Sequence, residues 1–154
     1  LLLFEDAAKC LPQSDEVEWL DEVRTDILRV GQSLRKQMDF YAVLCQWVYK
    51  LQSGHTILEM IRERNYCKVS IYGYKELGQL LYQALDSSSI QIAQVIDKDA
   101  KNIKAEHAVV TPDLISDDGV DAVIVTVLSD FDSISMVLKI NYQFDVISIS
   151  ELVR

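Results

Sequence analysis

The stretch that decides the fold is Lys68-Val-Ser-Ile-Tyr-Gly73-Tyr-Lys75-Glu76-Leu-Gly78-Gln79. Lys68–Tyr72 is short, apolar and β-branched, as a buried strand should be. Gly73 permits a tight turn immediately after it, and Glu76–Leu85 then places Leu77, Leu80, Leu81 and Leu85 on one helical face. A glycine leaving a strand and a second glycine inside the first helical turn form a strand–turn–helix unit whose open end faces one ligand-sized crevice. Asp97 closes the next apolar run, Ile90–Ile96, 19 residues beyond Gly78.

The same rhythm continues to the C-terminus. His107–Val110 reads as a short third strand and Pro112–Ile115 as a turn. Asp118-Gly119 breaks the chain ahead of a fourth strand at Asp121–Leu128. Asp130–Ile140 reads as a helix, Asp145–Ile149 as a fifth strand and Ser150–Arg154 as the start of a closing helix. Alternating strands and helices imply an α/β domain with a parallel sheet covered on both faces, and right-handed crossovers favour the Rossmann-like order 3-2-1-4-5 for about five strands.

The segment before Tyr66 has a helical period instead. Leu20, Ile27, Leu34, Tyr41 and Val48 recur every seven residues. Val23, Val30, Gln37, Leu44 and Leu51 follow three residues after each, and only Gln37 is polar. That is the pattern of a coiled-coil seam, and the alternative is a stripe packed on the chain's own second half. Ser14 is the expected N-cap, with Asp15, Glu16 and Glu18 in the first turn. Gly31-Gln-Ser is either a helical glycine or the turn of a helical hairpin, and the register that continues through it favours one helix from Asp15 to Gln52, about 57 Å long at 1.5 Å per residue. Ser53-Gly54 ends it, and Thr56–Arg64 reads as a short helix. Residues 1–13 are thus a leader of unclear structure, 14–65 a long N-terminal helical region for lead-in and dimerisation, and 66–154 a Rossmann-like nucleotide-binding domain.

Charge and composition narrow the function classes. The 154 residues hold 24 acids and 15 bases, a net charge of −9. Such a field repels phosphate backbones, which excludes nucleic acid as a natural partner. Glycine and proline are few, so a disordered or collagen-like chain is excluded. No apolar run approaches the roughly 20 residues of a membrane helix. Cys10, Cys45 and Cys67 are scattered, and His55 and His107 are the sole histidines. No metal site is expected, and the cysteine usage fits a reducing cytoplasm. The absent initiator Met marks a trimmed or internal start, and Leu1–Phe4 is too short for a signal peptide's apolar region.

The crevice-facing pattern is G-x-K-x-x-G, where a dinucleotide fingerprint reads G-x-G-x-x-G. Gly73 would form the turn and Gly78 the close helix–strand contact. First-turn N–H groups would face a phosphate, and Asp97 would accept the ribose hydroxyls, selecting NAD over NADP. Lys75 replaces the glycine that lets backbone approach a pyrophosphate, although its ammonium can serve as a point charge. The candidate cofactor-binding residues are Gly73, Tyr74, Lys75, Glu76, Gly78, Asp97, Lys98 and Thr126.

Residues 67–151 resemble Rossmann-type domains of bacterial cell-surface polysaccharide proteins. The stretches that carry the resemblance are VSIYGYKELGQLLYQAL (69–85), IAQVIDKDA (92–100), VVTPDLI (109–115), DAVIVTV (121–127) and VISISELV (146–153). Similar patterns open sugar O-acyltransferases and precede some nucleotide-sugar epimerases and dehydratases. CQWVYKLQSGHTILEMIRERNY (45–66) is similar to the helical lead-in of short companion proteins from glycosyltransferase loci. The resemblance implies a glycan-synthesis context, with a glycosyltransferase or other polysaccharide enzyme as partner, and puts Gly73, Tyr74, Lys75, Gly78 and Asp97 on the nucleotide-facing positions. It places Thr126 across the crevice.

A reaction set is missing from the sequence. No tyrosine has a lysine four residues on, as a Tyr-x-x-x-Lys dyad requires. No G-x-S-x-G or H-E-x-x-H occurs, and Gly73–Gly78 is followed by Gln79-Leu80 instead of a phosphate-loop Lys-Ser/Thr. His107 is expected at a strand edge or facing the crevice, His55 at a helix start, and Cys67 as a buried small apolar residue. Ser129 or Asp130 is expected to cap the helix after the fourth strand. Three readings follow: a non-catalytic nucleotide-binding or sensing module, the cofactor-binding part of an oxidoreductase or epimerase, and a ligand-free protein-interaction scaffold.

Overall fold

A computed structural model describes residues 18–154, together with Asp6 and Lys9. The leader and the proposed Ser14 cap with Asp15 and Glu16 lie outside the described residues. Helix α1 (Glu18–Gln52) runs through Gly31 without a break, so the heptad register is carried by one helix. It ends in a glycine cap. Gly54 takes φ +82°, its N–H reaches the Leu51 carbonyl, and the His55 N–H reaches that of Lys50, which satisfies the last carbonyls.

Helix α2 (Ile57–Arg62) starts on a reciprocal cap. The Thr56 hydroxyl accepts the Glu59 N–H, and Glu59 accepts the Thr56 N–H at 2.8 Å. Thr56 thus opens this helix, and His55 precedes the cap. The elements that follow are β1 (Lys68–Tyr72), α3 (Glu76–Asp86), β2 (Gln91–Ile96), β3 (Val109–Val110), β4 (Ala122–Val125), α4 (Phe131–Asn141), β5 (Asp145–Ser148) and α5 (Ile149–Leu152). All strands are parallel, in the order β3-β2-β1-β4-β5.

Side chains alternate across the strands and feed two apolar layers. Tyr72, Ile96, Val123, Val125 and Val146 pack with Ile134 and Leu138 of α4. Val69, Ile71, Leu77, Leu81, Leu85, Ile61 and Ile149 are also buried, and α3 packs on β1 and β2 while α2 packs on α3 and α5. Burial of both faces explains why the strands read as continuous apolar runs.

Several expectations are corrected. β3 keeps only Val109–Val110, and β4 ends at Val125 because the chain turns into a 3₁₀ turn at Leu128–Asp130. That turn leads into α4, and neither Ser129 nor Asp130 supplies a side-chain cap. Leu80 is 40% exposed although its sequence neighbours on the helix face inward; α3 is narrower on its buried side than four leucines suggest. Cys67 is exposed as well, lying just outside β1, where no strand covers it.

The described residues up to Ala42 form one compact unit and Val43–Arg154 another. The last turns of α1 belong with the sheet. Within that second unit the residues of α1 that are buried are Val43 and Trp47, whereas the seam residues Val48 and Leu51 are exposed. No helix among the described residues is long and apolar enough to cross a membrane.

Candidate functional site

The crevice lies at the C-terminal ends of β1 and β4, where strand order reverses. This is where open α/β sheets bind ligands. Gly73 leaves β1 at φ +96°, and its N–H donates to the Ile96 carbonyl at 2.7 Å. Only glycine fits the contact that follows. A Cβ at Gly78 would lie 2.0 Å from the Gly73 carbonyl oxygen, so the first turn of α3 rests directly on the loop. Both framing glycines thus serve turn and packing.

Asp97 stands where the second strand ends, with its side chain buried. Its Oδ2 accepts the Tyr74 N–H at 2.7 Å, and its Oδ1 accepts the Asp99 N–H at 2.9 Å. The carboxylate expected to hold a ribose therefore clasps its own loops first. A carboxylate offers about four acceptor directions, and two are taken. The remainder are what a ribose would use.

Thr126 closes the opposite wall. Its hydroxyl lies 2.9 Å from the Gly73 carbonyl and 3.2 Å from that of Tyr72, and its N–H donates to Tyr72 at 2.9 Å. It is a buried strap between β4 and the glycine turn. Beside it, Val127 Cγ2 would be 2.5 Å from a Cβ at Gly73. Val127 carries no sequence signal, and its side chain fills space over the turn.

Lys75 is the N-cap of α3 but makes no side-chain capping bond, and it is exposed, as are Glu76 and Lys98. Gln79 donates the first helical bond, to the Lys75 carbonyl at 2.8 Å. The N–H groups of Glu76, Leu77 and Gly78 thus have no intrahelical acceptor, and the helix dipole places partial positive charge beside the Lys75 ammonium. Glu76 and Lys98 make no contact that ties them to the crevice.

An aromatic group flanks the site. The Tyr82 ring stacks on His107 at 3.8 Å and 13°, and Tyr74 meets both edge-on, at 4.9 Å from His107 and 6.0 Å from Tyr82. Burial pushes the Tyr74 phenol above its ordinary pKa, and the nearby Asp86 and Glu106 act in the same direction. The Tyr82 phenol is raised by burial and by its hydrogen bond to Asp86. His107 Nε2 is buried without a hydrogen-bond partner. One signal for this group was present in the sequence: Tyr82 follows Gly78 by four residues and so shares its helix face.

These residues suit a ribose and one phosphate group, through Asp97, the start of α3 and Lys75. Among the described residues no group of three histidine, cysteine or carboxylate side chains could hold a metal ion. Searches of protein-family models, curated proteins and solved structures return no match for this chain.

Proposed function

We propose that the chain is a nucleotide-binding or sensing module that acts, without catalysing a reaction alone, beside an enzyme of bacterial polysaccharide synthesis. The observation that carries it is Asp97. It is held at the end of β2 by two backbone N–H groups with acceptor directions to spare, next to a glycine turn and a helix start that bears a lysine. The ligand class is a nucleoside phosphate, NAD or a nucleotide-sugar. The glycan context, the partner enzyme and the cytoplasmic setting rest on the sequence resemblance and cysteine usage. Self-association through the α1 seam belongs to the same reading.

Calorimetric titration tests it, using NAD⁺, NADH, NADP⁺, coenzyme A, UDP and a UDP-sugar. Micromolar affinity for one of these, weakened about tenfold in Lys75→Glu, is the expected result; tenfold corresponds to ~1.4 kcal/mol. Lys75 is the sound control because it is exposed, whereas Asp97→Ala would disturb the turn itself. Silence from a folded chain would favour the scaffold reading, which Val127 over Gly73 already supports.

A further inference from the structure

We propose that Tyr74, Tyr82 and His107 form the base-binding half of the nucleotide site. A nucleobase displaces the Tyr74 ring, lies against the Tyr82–His107 stack and supplies the hydrogen bond that His107 Nε2 lacks. The proposal rests on the nucleoside-phosphate reading of the crevice and adds the part of the ligand that Asp97 and Lys75 leave unread.

Tyr74 joins the two halves. Its N–H is one of those that the Asp97 carboxylate accepts, at 2.7 Å. Its ring stands nearly perpendicular to the other two, 4.9 Å from His107 and 6.0 Å from Tyr82. A ribose on the free acceptor directions of Asp97 is therefore about one side chain's length from the rings.

His107 gives the group the means to read a base. All three residues are half-buried, so the rings belong to the surface beside the crevice and not to the core. His107 Nε2 is nevertheless covered, with no hydrogen-bond partner in the chain. A nitrogen left so costs stability, and an apolar ring of the same shape would not. A neutral imidazole has one donor and one acceptor nitrogen, so Nε2 suits either a ring nitrogen or an N–H on the edge of a base. Stacking adds affinity for any base, because every base has a π-face.

The rings differ in how firmly they are held. Tyr82 lies on His107 at 3.8 Å and 13°, and its hydroxyl is bonded to Asp86. The Tyr74 ring meets both only edge-on. Rotation of its side chain clears the stack while its backbone N–H stays on Asp97. Charge sets the direction of the ligand. Asp86 and Glu106 lie close enough to act on the Tyr74 and Tyr82 phenols, so this end repels phosphate, whereas Lys75 and the start of α3 attract it. The phosphate goes to Lys75 and the base to the rings.

Calorimetry of the full chain with UMP, AMP and ribose 5-phosphate tests the proposal, since all three carry one phosphate and the last has no base. At least one of the nucleotides should bind tenfold or more tightly than ribose 5-phosphate. His107→Phe, which keeps a ring on Tyr82, and Tyr82→Leu, which removes the stack, should each cut that preference at least fivefold. Neither should change the affinity for ribose 5-phosphate or the circular dichroism. Tyr74→Ala should bind the preferred nucleotide at least as tightly as the parent chain; a loss there overturns the displacement of Tyr74. Ribose 5-phosphate bound as tightly as both nucleotides overturns the base site and leaves the phosphate site standing. So does a base preference that survives in His107→Phe. A folded chain that binds none of the three at millimolar concentration overturns the nucleotide reading and the proposal together.

Discussion

At the N-terminal end of the sheet, Asp121 Oδ2 accepts the N–H groups of Cys67 and Lys68, both at 2.7 Å. At the C-terminal end, Asp97 accepts those of Tyr74 and Asp99. Each end also has a glycine at positive φ, Gly119 at +63° and Gly73 at +96°. The N-terminal end has Lys68 Nζ on the Asp118 carbonyl and the Tyr66 hydroxyl on Asp145. The C-terminal end has Thr126 on Gly73. The chemistry is alike, so a carboxylate near a glycine turn is not by itself a ligand site. What separates the two ends is burial and crowding. Asp97 is buried and Asp121 exposed; a Cβ at Gly119 would find nothing nearer than Lys68 Nζ at 3.7 Å, whereas one at Gly78 would strike backbone at 2.0 Å. Tight packing at the crevice end fixes the positions of Lys75, the α3 start and Asp97 relative to one another, and positional precision is what a recognition site needs.

The glycines give the largest expected contrast. Gly78→Ala forces α3 away from the Gly73 carbonyl and should cost about 3 kcal/mol, the upper range for overpacking. Gly119→Ala meets no obstacle and should cost about 1 kcal/mol, the penalty of an L residue in the left-handed region. Urea unfolding of both variants measures the difference. Equal losses would mean that the crevice end yields as readily as the opposite one.

The carboxylates come next. Asp97→Ala leaves two loop N–H groups without an acceptor in a buried setting and should cost about 2–3 kcal/mol; Asp121→Ala exposes its two donors to water and should cost about 1 kcal/mol. Thermal unfolding at pH 7 compares them. If Asp97→Ala is the milder of the two, its carboxylate is not the clasp of the loop and is freer to meet a ligand than the geometry indicates.

Much of this arrangement was legible before any coordinates. Gly73, Gly78 and Asp97 marked the turn, the close packing and the strand end because each position demands a particular residue type. The order of strands followed from alternation of strand and helix. The use made of the Asp97 oxygens was not legible, since its partners are backbone N–H groups that every residue other than proline possesses. Val127 was hidden for a related reason: an apolar residue after an apolar strand looks like more strand. Leu80 misled because helix period alone cannot tell how wide a stripe the neighbours will cover.

A smaller contrast lies in the orphaned polar atoms. Ser70 Oγ, opposite the register shift between β1 and β2, and His107 Nε2, in the aromatic group, are each buried without a partner. Replacing an unsatisfied buried group by an apolar one of similar shape is close to neutral or stabilising. Ser70→Ala, remote from the crevice, should raise stability by up to about 1 kcal/mol. His107→Phe keeps the ring on Tyr82 and should do the same if the imidazole is merely structural. A loss of nucleotide affinity in His107→Phe, with none in Ser70→Ala, would move the aromatic group into the binding site.

The smallest effects come from the two titrating groups at the N-terminal end, and they act at opposite extremes of pH. Backbone hydrogen bonds from Lys68 and Cys67 hold the Asp121 carboxyl below its ordinary pKa of 3.8. Its contribution is complete above that value and fades as pH falls through the lower, folded-state value. Burial, aided by the bond to Asp145, pushes the Tyr66 phenol up from 10.0 to about 12. Its contribution is complete below pH 10 and is lost as pH rises through about 12. Both groups are largely open to solvent, so screening keeps each effect to the order of 1 kcal/mol or less. Unfolding midpoints from pH 2 to 12 should therefore show a high-pH decline that Tyr66→Phe removes and a low-pH decline that Asp121→Ala reduces. A high-pH decline unchanged in Tyr66→Phe would assign it to Tyr72, Tyr74 and Tyr82, whose phenols are also raised, and would shift the alkaline weakness from the N-terminal end of the sheet to the crevice.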